Sequence, residues 1–352
     1  MTKNQQTGIK YPEDILIDYP EKKYKRYLIT KKKYNRTYRI ENINDDNDFI
    51  FVKEIFLNNN SNENINYDQI YKEIYLSIKL KDYDYFRNNI EFKLSKDKKL
   101  AFLIAKKNDC SLKNFITSDY FQNLNVEEKQ KLIKWIIYQI TFGLYTLHSN
   151  NIIHHDIKPS NILIDSKGGI SIIDFGSAIF KGQNSYGKTL PYAAPELLMD
   201  NNKKVDEKYD IWGLGIIMLE LYLEKTFIFR KEGIDKREDQ LNYILPQFGI
   251  NENNPYEYLK NELKCNKNIK FEIKKEYLSQ IKDKDAVELI KNLLSFDPKE
   301  RYSAKKILES DYLKEHKGVD SLKINSIEFK EYKNISNDIR HENFIKLLEE
   351  IK

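Results

Sequence analysis

The chain has 352 residues, of which 40% are hydrophobic and 32% are charged, so it can bury a sizeable core beneath a highly charged surface. Its 59 Lys and Arg residues nearly balance its 54 Asp and Glu residues, and a net charge of +5 without long basic runs argues against a nucleic-acid or membrane footprint. Two cysteines, Cys110 and Cys265, provide neither a disulfide framework nor metal-ligand spacing, which favours a reducing compartment.

The compartment follows from what the sequence lacks. No apolar run approaches the length of a membrane span, and the residues after Met1 contain neither a signal-peptide core nor a myristoylation site. We therefore expect a cytoplasmic or nuclear protein that has no membrane and no nucleic-acid partner.

The first part of the chain has the pattern of β-strands. Four segments combine aromatic and β-branched residues in short runs typical of strands. They are residues 27–29, 37–40, 49–52 and 100–104. The polar residues 44–48 predict a turn between two of these strands, and residues 67–80 predict a helix before the last one.

After about residue 107 the apolar period becomes helical. Asn125 with Glu128 three residues later predicts a capped helix whose apolar face continues to Leu147. Further helices are expected from Asp210 and over residues 286–294. In the tail, four apolar residues fall at helical spacing and predict a helix that packs on the protein's own core. They are Phe344, Leu347, Leu348 and Ile351.

Three short motifs carry chemistry. A carboxylate, a lysine and a carboxamide stand close together at Asp156, Lys158 and Asn161, and Asp-Phe-Gly follows at residues 174–176, with Ala-Pro-Glu at 194–196. Phosphoryl transfer requires a base, a cation for the transferred phosphate and oxygen ligands for Mg²⁺. These three motifs supply all of these groups, so they indicate phosphoryl transfer.

In order and spacing, the three motifs resemble the catalytic loop, D-F-G and A-P-E motifs of the eukaryotic protein kinases. The resemblance implies an α+β, bilobal fold, in which a small antiparallel β-sheet lobe with one main helix and a larger, mostly helical lobe share a cleft. Four regions are expected along the chain. They are an N-terminal extension (1–23), the small lobe (24–107), the large lobe (108–316) and a C-terminal helical extension (317–352).

The resemblance also implies ATP and Mg²⁺ as cofactors, a protein substrate and a role for each matching residue. Asp156 would accept the proton of the substrate hydroxyl, with Lys158 near the γ-phosphate and Thr189 bridging the two. Asn161 and Asp174 would be the metal ligands. The residues expected to contact the nucleotide are Ile29, Thr37, Phe51, Lys53, Glu73, Ile104, Ala105, Lys107, Leu163 and Asp174. Among these, Lys53 would hold the α- and β-phosphates and pair with Glu73.

Other residues indicate the branch of the family. Lys158 and Thr189 match the serine/threonine branch. Residues 189–196 are similar to T-L-W-Y-R-A-P-E of the group that contains the cyclin-dependent, MAP, glycogen synthase and casein kinase II enzymes. Lys33-Tyr34 and Thr37-Tyr38 resemble the casein kinase II catalytic subunit more closely. The matching Glu196 and Arg301 imply a buried ion pair with a structural role.

Several positions depart from the kinase pattern. The glycine-rich loop has no glycine, because Thr30, Lys32 and Asn35 stand at its three positions, and β-carbons there should loosen a phosphate cradle. Lysines at 31–33 could restore some attraction for phosphate, although they could equally be surface residues. Phe51 replaces the small alanine that roofs the adenine, so its ring must tilt away or fill part of the nucleotide slot.

The phosphate-binding arginines of the family are also replaced. His155 stands for the arginine of H-R-D, and Ala193 stands for a group arginine beside the activation-segment tyrosine, which Tyr186 matches. Phosphorylation at Ser185 or Tyr186 is therefore not expected to switch the protein on. Two hypotheses stay open: an active serine/threonine kinase, or a pseudokinase that works as a scaffold or allosteric partner. The neighbouring His154 is expected to pack rather than to act as a base, and His148, which belongs to no motif, is expected to be structural or solvated.

Overall fold

The protein is described from a computed structural model covering residues 24–31, 35–42, 45–57, 67–83, 85–86, 90–106, 110–183, 190–199, 206–250, 272–316 and 341–350. Its residues form two compact units. The sheet unit contains the described residues up to 106, together with 173–176 and 341–350, and the helical unit contains those from 110 to 172 and from 177 to 316.

The sheet unit is built on five antiparallel strands. They are β1 (Tyr24–Lys31), β2 (Asn35–Asn42), β3 (Asp45–Phe56), β4 (Ile90–Leu94) and β5 (Leu100–Lys106). Their order is β1-β2-β3-β5-β4, so β3 lies at the centre. One main helix, α1 (Tyr67–Leu80), packs with the sheet unit and has the bounds predicted from the sequence.

The two faces of this sheet carry different kinds of side chains. Successive side chains of a strand point to opposite faces, so Val52 of β3 and its partner Ile104 of β5 share one face. There they pack in a buried cluster with Tyr38, Ile40 and Phe102. The other face carries Lys53 and the residues paired with it. The register of β3 therefore decides which side chains accompany that lysine.

The C-terminal helix α11 (His341–Glu349) belongs to the sheet unit. Ile345 and Leu348 are 3% and 0% exposed, and Lys98, in the β4–β5 turn, forms an ion pair with Glu349 at 2.9 Å. The predicted apolar stripe is thus buried at Leu348 and half-buried at Leu347. The side chains of its other two members lie outside the described residues.

The helical unit contains nine α-helices among its described residues, together with short strands and 3₁₀ turns. The helices are α2 (Leu112–Ile116), α3 (Asp119–Asn123), α4 (Val126–Ser149), α5 (Pro195–Met199), α6 (Lys208–Leu223), α7 (Arg237–Ile244), α8 (Lys275–Leu278), α9 (Lys284–Leu293) and α10 (Ala304–Leu308). The strands are β6 (Cys110–Ser111), β7 (Ile152–Ile153), β8 (Ile162–Ile164), β9 (Ile170–Ile172) and β10 (Ile179–Phe180). A 3₁₀ turn at Asp311–His316 follows α10.

Two helices of this unit have the structure that their sequences indicate. Helix α4 begins at the predicted capping box, in which the Asn125 side chain accepts from the Glu128 backbone and the Glu128 carboxylate accepts in return. Helix α6 is apolar on nearly all sides and is almost completely buried, as expected for the central helix of a bundle.

The predicted ion pair between Glu196 and Arg301 is present and buried. Arg301 donates to both carboxylate oxygens of Glu196, at 2.8 and 3.1 Å. The same guanidinium donates to the carbonyl oxygens of Ser295 and Lys208. A buried guanidinium is tolerated when it forms a bidentate ion pair and its remaining N–H groups also have acceptors.

The α+β architecture predicted from the sequence is confirmed, with corrections in detail. The predicted turn at 44–48 is wrong for its last four residues, because β3 already begins at Asp45. Strand β4 was not predicted. The limits of the four predicted regions stay predictions, since residues 1–23, 107–109 and 317–340 lie outside the description. None of the described helices has both the length and the apolar character needed to cross a bilayer.

Candidate active site

A cluster of three charged side chains lies on the Lys53 face of the sheet unit. Lys53 Nζ forms an ion pair with Glu73 of α1 and donates to Asp174 Oδ1 at 2.7 Å. Only 17% of the lysine side chain and 7% of the glutamate side chain are exposed. The pairing of Lys53 with Glu73 expected from the sequence is present in the folded protein.

Charge neutralisation decides the protonation state of this lysine. Burial by itself lowers the pKa of Lys53, but the carboxylates of Asp174 and Glu73 outweigh burial and raise that pKa above its usual value. The lysine is therefore a permanent cation held in one place. Such a group is suited to bind phosphate oxygens.

The Asp-Phe-Gly segment joins this cluster through its own contacts within the sheet unit. Asp174 has a left-handed backbone, with φ of 67°, which is uncommon for a residue other than glycine. The ring of Phe175 lies 6.1 Å from that of Phe86, which is 2% exposed. Because a left-handed aspartate needs support from its surroundings, these contacts matter for the direction of its carboxylate.

The predicted nucleotide residues do not all share the Lys53 face. Thr37 of β2 is paired with Lys53, and Ala105 of β5 is paired with Phe51, so both lie on this face. Phe51 lies on the same face and is half-buried. That its ring fills part of the nucleotide slot stays a prediction.

Ile104 lies on the opposite face of the sheet, in the buried cluster. Leu103, and not Ile104, is therefore paired with Lys53, and a contact of Ile104 with the nucleotide stays a prediction. The pairing reflects strand alternation: a shift of one residue moves a side chain to the other face.

The glycine-less hairpin between β1 and β2 is described only in part. Ile29 is 50% exposed and lies at an irregularity in the β1–β2 register between Leu28 and Thr30. Asn35 begins β2. Residues 32–34 lie outside the description, and so does any effect of their lysines on phosphate binding.

In the helical unit, the catalytic-loop motif forms a compact hydrogen-bonded group. Lys158 Nζ donates to Asp156 Oδ2 at 2.6 Å. Asn161 Nδ2 donates to the carbonyl oxygen of Asp156 at 2.9 Å and to its Oδ2 at 3.1 Å. The three residues that the sequence places within one loop therefore do meet. Leu163, predicted to contact the nucleotide, follows in β8 and is half-buried.

Asp210 anchors this loop from the start of α6, a role the sequence analysis missed. Its carboxylate accepts the backbone N–H groups of His154 at 2.9 Å and His155 at 2.7 Å. His148 Nε2 lies 2.9 Å from the same carboxylate, so of the two expected alternatives, structural or solvated, His148 is structural. An acid directly followed by the long apolar run from Ile211 to Leu219 was the available signal.

The Asp210 carboxylate is fully buried. Burial works to raise the pKa of Asp210, but the hydrogen bond and charge of His148 and the N–H of His155 outweigh it, and the pKa falls below its usual value. A buried anion is thus maintained by His148 at the end of α4 together with backbone N–H groups of the catalytic loop. Any change to this carboxylate should disturb the loop.

The two histidines before the catalytic aspartate have structural positions. His154 is 0% exposed, and its Nδ1 accepts the N–H of Asp156 at 3.3 Å. His155 has a left-handed backbone with φ of 68°, and its ring lies 6.2 Å from that of Tyr209. Both are buried, so a packing role fits them better than proton transfer.

The oxygen atoms available for a divalent cation have suitable chemistry in both units. The Asn161 nitrogen is used by Asp156, which leaves the carbonyl Oδ1 as the ligand atom. The Asp174 side chain is 22% exposed, and its Oδ1 lies 2.7 Å from Lys53 Nζ. Carboxylate and amide oxygens are the hard ligands that Mg²⁺ prefers, so both residues fit the ion predicted for them.

Some predicted site residues lie outside the described part of the chain. Thr189 and Lys107 are two of them, and the segment residues Ser185 and Tyr186 are two more. Their predicted roles stay predictions.

The comparisons with known proteins agree with this geometry. The chain is similar to the mitogen-activated protein kinase hog1 of Aspergillus clavatus, with 33% identity over 192 residues that cover 53% of this chain and 51% of the relative. The corresponding HOG1 protein of Colletotrichum orbiculare is 32% identical over 192 residues, 53% of this chain and 52% of its own. For the mitogen-activated protein kinase sakA of Aspergillus fumigatus, the identity is 32% over 192 residues, 53% of this chain and 51% of that protein.

The chain spans about half the length of these relatives. The predicted resemblance to the kinase group that includes the MAP kinases is confirmed, and the closer resemblance to casein kinase II stays a prediction. The family model described as the protein kinase domain matches residues 33–313, well over half of the chain. The chain therefore belongs to the protein kinase family.

Proposed function

We propose that this protein is an ATP- and Mg²⁺-dependent serine/threonine kinase that phosphorylates protein hydroxyl groups. The observation that carries the proposal is the position of Lys53, which is neutralised by Glu73 and held 2.7 Å from Asp174. This arrangement combines a fixed cation for phosphate oxygens with a carboxylate suited to a metal ion. When bound, ATP with Mg²⁺ would supply the γ-phosphoryl group.

The catalytic-loop residues account for the proton and the charge in this proposal. Asp156 would orient the substrate hydroxyl and accept its proton. Lys158, already 2.6 Å from the same carboxylate, would balance the charge of the transferred group. Asn161 keeps its carbonyl oxygen for the metal because its nitrogen is tied to Asp156. Each role requires a fixed position, and hydrogen bonding within the loop provides it.

We also propose that activation-segment phosphorylation is not required. His155 and Ala193 stand where the group has arginines that bind a phosphorylated segment, and neither an imidazole nor a methyl group offers the paired, charged donors of a guanidinium. The proposed substrates are proteins. The proposed location is the cytoplasm or nucleus, which is supported by the small number of cysteines.

Transfer of labelled γ-phosphate tests the proposal directly. The purified full chain, treated with phosphatase beforehand, should phosphorylate a degenerate library of Ser- and Thr-containing peptides when ATP and Mg²⁺ are present. Asp156→Asn should abolish the transfer. Asp165→Asn, the same chemical change at an exposed turn, should leave it intact. Absence of transfer by wild-type protein that binds Mg²⁺-ATP would contradict the proposal and favour a non-catalytic kinase fold.

A further inference from the structure

Helix α1 contacts the Asp-Phe-Gly segment at a second point besides Glu73. Gln69 lies one turn before Glu73 on the same helix, so the two side chains point to the same side. Its Nε2 donates to the carbonyl oxygen of Gly176 at 2.5 Å. The helix that supplies the partner of Lys53 therefore also binds the end of the segment that carries Asp174.

Gly176 is also in close contact with the Glu73 carboxylate. A β-carbon built on Gly176 would lie 2.9 Å from Glu73 Oε2 and 3.3 Å from Asp174 Oδ1. A side chain at this position would require the Glu73 carboxylate to shift away from its place beside Lys53. The backbone of Gly176 is thus seated against α1, and the hydrogen bond from Gln69 fixes its carbonyl group there.

All three residues of the segment have a contact within the sheet unit. Asp174 meets Lys53, Phe175 meets Phe86, and Gly176 meets Gln69. The left-handed conformation of Asp174, with φ of 67°, is unfavourable by itself and persists only when neighbouring contacts define it. On the C-terminal side of Asp174, the ring contact of Phe175 and the hydrogen bond to Gly176 both restrain the chain, and the hydrogen bond is the one that comes from α1.

We propose that Gln69 is a positioning residue, which directs the Asp174 carboxylate by fixing Gly176 against α1. The proposal rests on the proposed function in one respect, since the value of a directed Asp174 is its expected use as a metal ligand. Loss of the Gln69 hydrogen bond should then reduce the benefit that Mg²⁺ brings to nucleotide binding. It should have little effect on binding without metal, because Lys53 and Glu73 are unchanged.

The decisive variants are Gln69→Met and Gln69→His in the full chain. Methionine keeps the length and helix propensity of glutamine but has no donor. Histidine keeps an N–H donor at nearly the same reach. Gln280→Met is the matched control, since the Gln280 carboxamide also donates to a backbone carbonyl, that of Glu276, at an exposed position.

Calorimetric titration with ADP, with and without Mg²⁺, measures the first effect. In Gln69→Met, the affinity for Mg²⁺-ADP should fall about tenfold, whereas metal-free affinity and the unfolding midpoint should stay near those of wild type and Gln280→Met. Gln69→His should recover most of the loss. Equal defects in the methionine and histidine variants, or equal losses with and without metal, would overturn the proposal.

Amide hydrogen exchange gives a readout that depends on neither nucleotide nor turnover. Gln69→Met should accelerate exchange in a peptide that covers residues 173–180, and Gln280→Met should not. Unchanged protection of this peptide would overturn the positioning role even if the protein is an active kinase. Conversely, faster exchange in a protein without phosphoryl transfer would support the positioning role while contradicting the proposed function.

Discussion

Each unit contains one cluster of candidate site residues, and the two clusters are held in place in different ways. In the helical unit, Asp156, Lys158 and Asn161 are neighbours in sequence, and Asp210 fixes the loop through backbone N–H groups. In the sheet unit, Lys53, Glu73 and Asp174 are separated by 20 and 121 residues along the chain and hold one another through their charges.

The two units therefore differ in whether the residues expected to take part in catalysis also stabilise the site. In the helical unit, the residues expected to catalyse the reaction lie on the loop, and a separate, fully buried carboxylate, Asp210, stabilises that loop. In the sheet unit, the same charged groups do both. A substitution should therefore separate activity from stability more cleanly in the helical unit than in the sheet unit.

The largest effect is expected for Asp156→Asn. It removes the proposed base, and general-base catalysis contributes about 10²–10⁴-fold in rate. Because the negative charge of the carboxylate is lost as well, turnover should fall by at least about 10³-fold. The unfolding free energy should change by only about 1 kcal/mol, because Asn can still accept from Lys158. Steady-state kinetics and chemical denaturation measure both. Retained Mg²⁺-dependent turnover would contradict the assigned role.

Asp210→Asn, in contrast, should strongly lower the unfolding free energy. The amide leaves one of the two backbone N–H groups without a good acceptor and removes the charge beside His148, so the unfolding free energy should fall by about 3–5 kcal/mol. Turnover should fall as well, since residues 154 and 155 lose their anchor. Asp206→Asn, at the same end of α6, is the control and should be nearly neutral. A stable Asp210→Asn protein would show that the loop is held by other contacts.

Phe51→Ala tests the departure from the kinase sequence pattern that should affect nucleotide binding most in the sheet unit. We expect nucleotide affinity to rise several-fold, because the ring lies on the Lys53 face opposite the small Ala105. The cost in stability should stay below the roughly 3–5 kcal/mol of a fully buried phenylalanine, since Phe51 is half-buried.

The same strand offers a control for that experiment. Phe56 is also half-buried, and its position in β3 puts it on the opposite face, so Phe56→Ala should lower stability without tightening nucleotide binding. Titration calorimetry distinguishes the two variants. If Phe51→Ala binds ADP no better than wild type, the ring is a packed residue beside a working nucleotide site.

The smallest effect concerns a buried acid of the helical unit outside the catalytic loop. Burial raises the pKa of Glu220 to about 8 from a usual 4.5, and Tyr192 donates to its carboxylate at 3.1 Å. Between these pH values the folded protein binds more protons than the unfolded chain. Its stability should therefore be greatest below pH 4.5, as far as this group is concerned, and decrease as the pH rises towards 8.

Glu220→Gln should remove this dependence. A single group contributes at most about 1.4 kcal/mol for each pH unit, so wild type should lose roughly 1 kcal/mol more per pH unit than Glu220→Gln between pH 5.5 and 7.5. Denaturation curves across this range measure the difference. Parallel curves for the two proteins would mean that Glu220 is already ionised at neutral pH.

Much of the catalytic-loop cluster in the helical unit could be predicted from the sequence. Asp156, Lys158 and Asn161 lie within six residues, so local backbone geometry alone brings them together, and the capping box at Asn125 is equally local. The Glu196–Arg301 pair and the Lys53–Glu73 pair were predictable only because the motifs around them resemble a known family. Composition and periodicity would not have joined them.

The tertiary structure alone decided the remaining features. Which side of β5 faces Lys53 depends on strand register, and a shift of one residue exchanges Leu103 for Ile104. The anchoring of the catalytic loop by Asp210 and the contact of Gln69 with Gly176 join residues 55 and 107 positions apart. No local pattern encodes such pairs, because they form only when separate elements pack and a buried polar group must find its partner.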